Sequence, residues 1–413
     1  MGKETRIEET VDAGSVRLRP DLIFYPLDDG LVIFSETEQS LIGLNATAAL
    51  IAGRLRNGEP ASSLAVALAA SEQTTPEEAA GWVAATVDAL DAQGLLADGR
   101  IRAEQPIDTS MHERLAQIRA TIPPLVPFEP RAVGHYRLLD THLMVRYAHR
   151  SQKRMVDAAI GHLASVETGE PHYVMDISGR EWGDAELSSN IYCDGSADSY
   201  AKQLSNIGPL VKSAFLNLAI RASDFILHLH AGVVGRDGRC ILLPAESGSG
   251  KSSMTAALVH AGLGYYSDEI ALIESGSFRV RPVPLATCVK DSGWPLMSRY
   301  YPEIDTLPKH RRYDGKLVRY LPPRREAVQT MPAVVSHIFF PQYIAGEVTR
   351  IEPLARTAAL ARLLDQCLSL RQRLDQENVQ GLIDWIGQID CFALPFSSLD
   401  EAVELVKDCS GLN

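Results

Sequence analysis

The sequence predicts an α/β protein in which a small α+β domain of winged-helix type precedes a larger α/β domain. Three observations support this prediction. Three short strands precede helices in the first 100 residues, prolines cluster between residues 101 and 133, and a buried strand, a loop of small residues and a helix follow one another across residues 240–262. A length of 413 residues agrees with two or three domains of about 150 residues each. We therefore expect a small domain over 1–100, a linker over 101–133 and a large domain over 134–413.

Composition and charge exclude several classes of protein. With 46% hydrophobic and 22% charged residues, the chain is typical of soluble globular proteins. No apolar run is long enough to span a bilayer and the first ten residues lack the apolar core of a secretory signal, so we expect a cytoplasmic protein without membrane association. The six cysteines form no C-x-x-C pair, which favours reduced thiols over a zinc site or a disulfide framework. The net charge of −12 argues against nucleic-acid binding.

The first 100 residues carry signals for strands and then for helices. Strand-like runs at 22–25, 31–34 and 40–44 are separated by polar turns, which is typical of a β-meander. Asn45 is the expected N-cap of a helix over 46–55. The run Thr-Pro-Glu-Glu at 75–78 supplies an N-cap, a proline at the first helical position and a capping-box glutamate for a helix that ends near residue 93. Because we find no catalytic group of residues here, we expect a binding role.

The larger domain begins with strand-like runs at 136–147 and 173–177. Apolar positions keep helical spacing over 199–222, interrupted by Gly208-Pro209, and we interpret this helix as part of the core. A hairpin over 228–244 then leads into the loop of small residues. Towards the C-terminus we expect closing structure, in which helices over 356–374 and 379–389 alternate with the runs 392–395 and 399–407.

The strand, glycine loop and helix start at residues 240–252 have the composition of a phosphate-binding site. Successive loop N–H groups and the positive end of a helix converge on phosphate oxygens. Gly248 and Gly250 allow close approach of the backbone, Lys251 can reach the β- and γ-phosphates, and the Ser252 hydroxyl can bind Mg²⁺. The first glycine of the pattern G-x-x-x-x-G-K-S is Ala245 in this chain. The expected ATP contacts are Ala245, Glu246, Ser247, Gly248, Ser249, Gly250, Lys251, Ser252 and Ser253.

Charged residues after the loop have the chemistry that phosphoryl transfer needs. Asp268 and Glu269 stand at a strand end, where one acid can hold Mg²⁺ and the other can take a hydroxyl proton, and the sequence leaves open which does which. Further along, seven basic residues accompany one acid, Asp314, and either neutralise a transferring phosphoryl group or form a solvated loop. They are Lys309, Arg311, Arg312, Lys316, Arg319, Arg324 and Arg325.

The run from Glu38 to Ile51, followed by Leu-Asp-Ala-Gln-Gly-Leu-Leu at 90–96, resembles the PqqD-like family of peptide-recognition domains. In that family the leader of a precursor peptide adds as a strand to the third strand of the sheet and packs against the last helix. The resemblance implies a docking edge at residues 40–44, Ser40 to Leu44, with a wall from Trp82 to Leu90.

The order of His230, then Ser-Gly-Ser-Gly-Lys-Ser at 247–252, then Asp268-Glu269 resembles the HPr kinase family of serine kinases and its peptide-phosphorylating relatives. The resemblance implies a P-loop kinase fold related to phosphoenolpyruvate carboxykinase, with ATP and Mg²⁺ as cofactors and assembly into oligomers. It implies phosphate contacts from Lys251 and Ser252, a catalytic-site histidine at His230, and an acidic pair at Asp268 and Glu269. Among the basic residues it favours Lys290, Lys316 and Arg319.

This chain departs from bacterial HPr kinases in two ways. Its acidic pair is Asp-Glu where they have Asp-Asp, and the segment that marks true HPr kinases is not recognisable. Together the two resemblances imply a kinase that phosphorylates a serine of a ribosomally made precursor peptide held by the first domain. The alternatives are a kinase of a small hydroxylated metabolite or of an HPr-like carrier protein, and a non-catalytic, nucleotide-gated peptide chaperone.

Overall fold

The computed structural model describes residues 16–28, 30–97, 110–166, 169–180, 188–370 and 373–412. Over these residues the chain is a mixed α/β protein whose strands form five sheets. It divides into two compact units, the first made of residues 1–105, 355–362 and 373–388 and the second of 106–354, 363–372 and 389–413. Among the described helices, none combines the length and the hydropathy that a membrane span requires.

Strands and helices are distributed along the whole described chain. The first hundred residues contain β1 Ile23–Leu27, β2 Gly30–Ser35, β3 Ser40–Leu44, α1 Ala46–Arg56, α2 Ala61–Ser71 and α3 Pro76–Ala92. Residues 110–221 contain α4 Ser110–Thr121, β4 Ala132–Leu138, β5 Thr141–Tyr147, α5 Arg150–Ile160, β6 Tyr173–Arg180, β7 Ser188–Cys193, β8 Ser196–Ala201 and α6 Ile207–Arg221.

The second half of the chain carries the remaining elements. Residues 227–321 contain β9 Leu227–Leu229, β10 Ala231–Arg236, β11 Arg239–Pro244, α7 Lys251–His260, β12 Gly264–Ser267, β13 Ala271–Ile273, β14 Val280–Arg281, β15 Thr287–Lys290, α8 Trp294–Met297, β16 His310–Arg311 and β17 Leu317–Leu321. Residues 334–410 contain β18 Val334–Tyr343, β19 Glu352–Pro353, α9 Arg356–Asp365, β20 Cys367–Leu370, α10 Gln376–Ile386, β21 Asp390–Phe396 and α11 Leu399–Ser410. Short 3₁₀ turns lie at Gly161–Leu163, Leu204–Asn206, Asp291–Gly293, Pro302–Thr306 and Arg325–Ala327.

The first unit is built on the antiparallel sheet β1-β2-β3, followed by α1, α2 and α3. The helix starts follow the local sequence, because the Asn45 side chain accepts a hydrogen bond from the N–H of Ala48 and Thr75 forms a capping box with Glu78. Ile33 of β2 is fully buried in a core shared with the helices. The predicted strands and helices of this small α+β domain are therefore present, within one or two residues at most ends.

Two C-terminal segments complete the first unit. Backbone atoms of Thr357 lie over Gly43, where a Cβ on the glycine would come within 2.7 Å of the Thr357 carbonyl oxygen. The Arg356 guanidinium pairs with Asp28 at 2.9 Å, and Gln39 exchanges hydrogen bonds with the backbone of Leu374 at 2.8 and 2.9 Å. The expected large domain over 134–413 therefore differs from the compact units, since residues 355–362 and 373–388 pack with the first sheet.

The described part of the expected linker packs on the second unit. Arg119 of α4 donates to the carbonyl oxygen of Asp198 at 3.1 Å, and the Tyr192 hydroxyl donates to the carbonyl oxygen of Pro123 at 2.9 Å. Prolines exclude regular structure from 122–131 but do not prevent this segment from docking. Residues 101–109 of the expected linker lie outside the described residues.

A five-stranded sheet, in the order β4-β5-β6-β7-β8, packs against α5 and α6. The long helix expected over 199–222 begins only at Ile207, and the residues before it form β8 and a 3₁₀ turn. Pro209 consequently lies in the first helical turn, where its missing N–H removes no helical hydrogen bond. The prediction of a helix over 199–222 is therefore correct for about the last two thirds of that segment.

A six-stranded sheet, in the order β12-β10-β11-β18-β21-β19, carries the glycine loop. Strands β11, β18 and β21 are parallel, so their carboxyl ends meet at one edge, and the loop after β11 lies there. Helices α7 and α11 pack on this sheet in a second core. Ligands of open α/β sheets bind at this carboxyl edge, so the fold places the loop where a ligand site is expected.

Candidate functional site

The glycine loop connects the end of β11 at Pro244 with the first residue of α7, Lys251. Gly248 and Gly250 have positive φ values of 107° and 89°, a backbone conformation that residues other than glycine rarely adopt. A Cβ on Gly250 would also lie 2.7 Å from Cζ of Phe396. The helix N-terminus with its unpaired N–H groups therefore opens directly onto the loop, which is the geometry of a phosphate-binding site.

Lys251 and His230 are joined at the base of this site. The Lys251 side chain is buried, and its Nζ lies 2.6 Å from Nε2 of His230. Burial lowers the pKa of Lys251 to about 8, although Asp268 and Glu269 act in the opposite direction. Burial, together with the Lys251 charge, lowers the pKa of His230 to about 4. At neutral pH the histidine is therefore neutral and accepts a hydrogen bond from the lysine ammonium.

Asp268 lies directly after β12 and is 3% exposed. Burial raises its pKa, whereas Lys251 and a hydrogen bond from Ser252 lower it. Its Oδ1 atom has no hydrogen-bond partner within the described residues. A buried carboxylate oxygen without a hydrogen-bond partner lowers stability, so Oδ1 of Asp268 is a site where a bound ligand or ion can interact.

Glu269 has a different environment from its neighbour. Its carboxylate pairs with the ammonium of Lys212, which lies on α6 and is 4% exposed, while 37% of the Glu269 side chain remains exposed. Burial acts to raise the pKa of Glu269, but Lys212, Lys251 and Arg312 outweigh it and lower the pKa. Glu269 is therefore held as a carboxylate that faces the pocket.

Two further cations border the loop and the acids. The Nζ atom of Lys290, at the end of β15, donates to Oγ of Ser247 at 2.6 Å. Arg312 follows β16, and its Nη1 lies 3.9 Å from Sγ of Cys288. Cations at both sides of a phosphate loop can neutralise charge that develops on a transferring phosphoryl group.

These groups line one cavity of about 180 Å³. Ligand pockets generally measure about 300 to 1,000 Å³, so this cavity suits the phosphate end of a ligand and not a whole nucleotide. Its lining residues are His230, Glu246, Ser247, Gly248, Gly250, Lys251, Ser252, Ser253, Asp268, Glu269, Cys288, Val289, Lys290, Ser292, Gly293 and Arg312.

Some of the residues expected at the site lie outside this cavity. Ala245 is buried beneath the loop, and the Ser249 hydroxyl donates to the carbonyl oxygen of Glu246, so these two support the loop. Lys316 is half exposed and pairs with Asp314 at 3.6 Å. Arg319 pairs with Asp305 at 3.2 Å and stacks on the Trp294 ring at 4.2 Å. The structure therefore does not bring Lys316 or Arg319 to the cavity.

Sequence analysis missed Lys212 and did not single out Arg312. A signal for Lys212 was present, because it precedes the buried Phe215 and Leu216 by three and four residues on α6 and shares their face. A lysine on a buried apolar face is rare unless it is paired. Arg312 stands among seven basic residues, directly after β16, and no local signal distinguishes it from its neighbours.

The residues present fit a bound Mg²⁺. This ion is generally held by one or two carboxylates, with oxygens of a phosphate ligand and water completing its shell. Asp268 offers an unpartnered carboxylate oxygen beside the Ser252 hydroxyl. Within the described ranges no group of three or more His, Cys, Asp or Glu side chains could hold a metal by itself.

Fold and site together define a glycine loop, with the geometry of a phosphate-binding site, at the carboxyl edge of a mixed sheet. Comparison with known proteins adds little to this. No protein-family model and no curated protein matches the chain. One solved structure to which it is similar is the HPr(Ser) kinase/phosphatase from Coxiella burnetii, at 12% sequence identity over 44% of this chain and 89% of that chain, with a TM-score of 0.23. A likeness at this level carries no argument for the fold or the function of this chain.

Proposed function

We propose that the chain is an ATP-dependent kinase that transfers a phosphoryl group to a serine hydroxyl. The observation that carries this proposal is the grouping, in one cavity, of the phosphate loop with two adjacent acids in contrasting environments. Phosphoryl transfer depends on positioning and on charge stabilisation, and both are available there without a covalent intermediate.

Each group has a role in this reaction. Loop N–H groups and Lys251 hold the β- and γ-phosphates, and His230 keeps the lysine in place through its Nε2 atom. Ser252 and Asp268 would hold Mg²⁺, which when bound neutralises phosphate charge and orients the phosphoryl group. Glu269 is ionised and accessible, so it is positioned to take the proton of the acceptor hydroxyl. Lys290 and Arg312 stabilise the charge on the transferring group.

The acceptor that we propose is a ribosomally made precursor peptide held by the first unit. Within the described residues β3 pairs with β2 alone, which leaves its outer edge without a strand. Trp82 of α3 is 39% exposed, so its ring is accessible to a ligand. An open strand edge and an exposed aromatic on the last helix suit β-strand addition by an extended peptide.

The test is mass spectrometry of candidate precursor peptides after incubation with the full-length protein and Mg·ATP. We expect a mass increase of one phosphate group that is located on a serine by fragmentation. Lys251→Ala should abolish the modification, whereas Lys202→Ala, which removes an exposed lysine distant in sequence from the loop, should leave it intact. Phosphate incorporation that survives in Lys251→Ala would contradict the assignment of the loop.

Two other outcomes would redirect the proposal. ATP turnover that is stimulated by small hydroxylated metabolites and not by any peptide would favour a metabolite kinase. Nucleotide binding without any turnover, in the presence of peptides and metabolites alike, would favour a nucleotide-gated chaperone.

A further inference from the structure

An exposed apolar surface lies beside the phosphate loop, at the same carboxyl edge of the sheet. Strand β18 ends at Tyr343, next to the loop that follows β11. Tyr343 is 52% exposed, Ile344 38% and Val348 71%. We call these three side chains the 343–348 patch. Large apolar side chains exposed together generally mark a binding surface.

The patch is fixed to the phosphate loop by backbone contacts. The N–H of Tyr343 donates to the carbonyl oxygen of Ser249 at 3.1 Å. The N–H of Ile344 donates to the carbonyl oxygen of Phe396 at 2.9 Å. The Tyr343 and Phe396 rings meet edge to face, with centroids 5.7 Å apart and planes at 68°. Because Phe396 is 2% exposed, the Tyr343 ring rests on a rigid support.

Gly250 lies between the patch and the cavity. It lines the cavity, and a Cβ on it would lie 3.5 Å from Cβ of Tyr343. None of the three patch residues lines the cavity, which instead extends towards Asp268, Glu269 and Arg312. One side of the loop therefore faces the charged cavity, which suits phosphoryl transfer. The other side faces the aromatic ring of Tyr343, which has no role in the transfer step.

The polar side chains of the same loop are already engaged. Arg350 pairs with both Glu347 and Glu352. The Thr349 hydroxyl accepts hydrogen bonds from the N–H groups of Ser397 and Ser398, at 3.3 and 3.2 Å. The exposed Tyr343 ring therefore offers an aromatic face that these polar side chains do not occupy, and such a face suits stacking of an aromatic ring.

We propose that the 343–348 patch binds the base of the nucleotide whose phosphates lie in the loop, with the base stacked on Tyr343. This inference rests on the proposed use of ATP and adds the site of its aromatic ring. A cavity of about 180 Å³ accommodates the phosphate end alone, so the base must lie outside it. The patch meets that requirement, because it adjoins the loop across Gly250.

The experiment compares two ligands that share a phosphate chain and differ in the base. Dissociation constants of the full-length protein are measured by calorimetry for Mg·ATP and for magnesium tripolyphosphate. Tyr343→Ala should weaken ATP binding about tenfold, as stacking of a base on an aromatic ring generally contributes, and leave tripolyphosphate binding unchanged. Tyr343→Phe keeps the ring and should bind ATP as the wild type does.

A control variant and a second patch variant test whether the effect of Tyr343→Ala is direct. Tyr200→Ala removes a tyrosine of similar exposure, 43%, on β8 and should change neither constant. Val348→Ser removes apolar surface at a side chain that is 71% exposed without adding a charge, and it should weaken ATP binding in the same selective way. Equal loss for both ligands in Tyr343→Ala would overturn the inference, because the loop itself would then be disturbed.

Failure of this inference and failure of the proposed function give different results. Wild-type affinity for ATP in both Tyr343→Ala and Val348→Ser overturns the base site and leaves the kinase proposal standing. Selective loss of ATP affinity in a protein that never transfers phosphate supports the base site and contradicts the kinase. A wild-type protein that binds ATP no more tightly than tripolyphosphate also overturns the base site.

Discussion

The two adjacent acids of the cavity are not equivalent. Asp268 is buried with a raised pKa, and its Oδ1 atom has no hydrogen-bond partner in the part of the chain that the structure describes, whereas Glu269 is held ionised by a buried lysine from another part of the chain. Lys212 thus ties the helix α6 to the cavity. A buried charge that loses its partner is costly, so this pair links the stability of the protein to its chemistry.

The Lys212–Glu269 pair predicts an asymmetric response to substitution. Glu269→Gln leaves the buried ammonium unpaired, so it should destabilise the protein towards the lower end of about 3 to 5 kcal/mol, because Glu269 is partly exposed. Lys212→Met should cost less, since Lys251 and Arg312 remain near Glu269. Chemical denaturation of both variants and of the double variant measures this. Equal costs for the two single variants would contradict a pair in which only the lysine is fully buried.

His310 predicts how stability changes at low pH. It is fully buried, and burial lowers its pKa to about 4 from an ordinary value of 6.5, although a hydrogen bond with the Ser205 backbone acts the other way. Between these pKa values the unfolded state binds more protons than the folded state. The contribution of the neutral His310 to folding stability is therefore present above pH 6.5 and is lost as the pH falls to 4. At about 1.4 kcal/mol per pKa unit the loss is about 3 kcal/mol.

His310→Phe tests this prediction. The variant keeps a ring beside Tyr320, whose centroid lies 5.0 Å from that of His310, but it cannot titrate. We expect the free energy of unfolding to decrease less between pH 7 and pH 5 in the variant than in the wild type. The same decrease in both proteins would mean that His310 is already protonated at pH 5 in the folded state.

The strand, loop and helix from 239 to 260 act as one element whose geometry depends on its glycines. Gly250→Ala combines an unfavourable φ of 89° with a contact of 2.7 Å to Phe396, so nucleotide affinity should fall more than tenfold. Gly238→Ala is the matched control: its φ is 76°, but no atom lies within 4 Å of a Cβ there. It should cost about 1 to 2 kcal/mol of stability and leave affinity unchanged. Isothermal calorimetry and thermal melts measure both.

The first unit is discontinuous in sequence, because residues 355–362 and 373–388 belong to it together with the N-terminal segment. Helix α10 belongs to that unit with its buried residues, among them Val379, Leu382 and Ile383. A fragment that begins near residue 106 would keep α10 and lose the β1 strand on which it packs. Such a fragment would expose apolar surface, so the contribution of the first unit is better tested in the full-length chain.

Single prolines at Leu41 and Ile42 provide this test of peptide capture. Successive N–H groups of a strand point to opposite sides, so one of these two residues donates to β2 and the other points outward. We expect one variant to lose stability. The other should keep its melting temperature and phosphorylate a precursor peptide more slowly at low, but not at saturating, peptide concentration. Unchanged rates in the stable variant would mean that no peptide strand adds to β3.

Much of the local structure could be predicted from the sequence, because it depends on neighbours along the chain. The cap at Asn45, the capping box at Thr75 and the loop from Pro244 to Lys251 follow from residue types at fixed spacing. The grouping of His230, Lys251, Asp268 and Glu269 follows from the same pattern, since strand ends and the loop meet at one edge of a sheet.

Contacts between distant segments were decided only by the tertiary structure. Lys212 reaches Glu269 across 57 positions of sequence, and Arg312 borders the cavity whereas Lys316 and Arg319 do not. No local sequence pattern predicts that residues 355–362 and 373–388 pack with the first sheet. The residue pattern along the chain therefore predicts the glycine loop and its acids, whereas packing between distant segments selects which charges line the cavity and which segments belong to each unit. The physical reason is that caps and turns depend on local conformation, whereas burial and pairing depend on the whole fold.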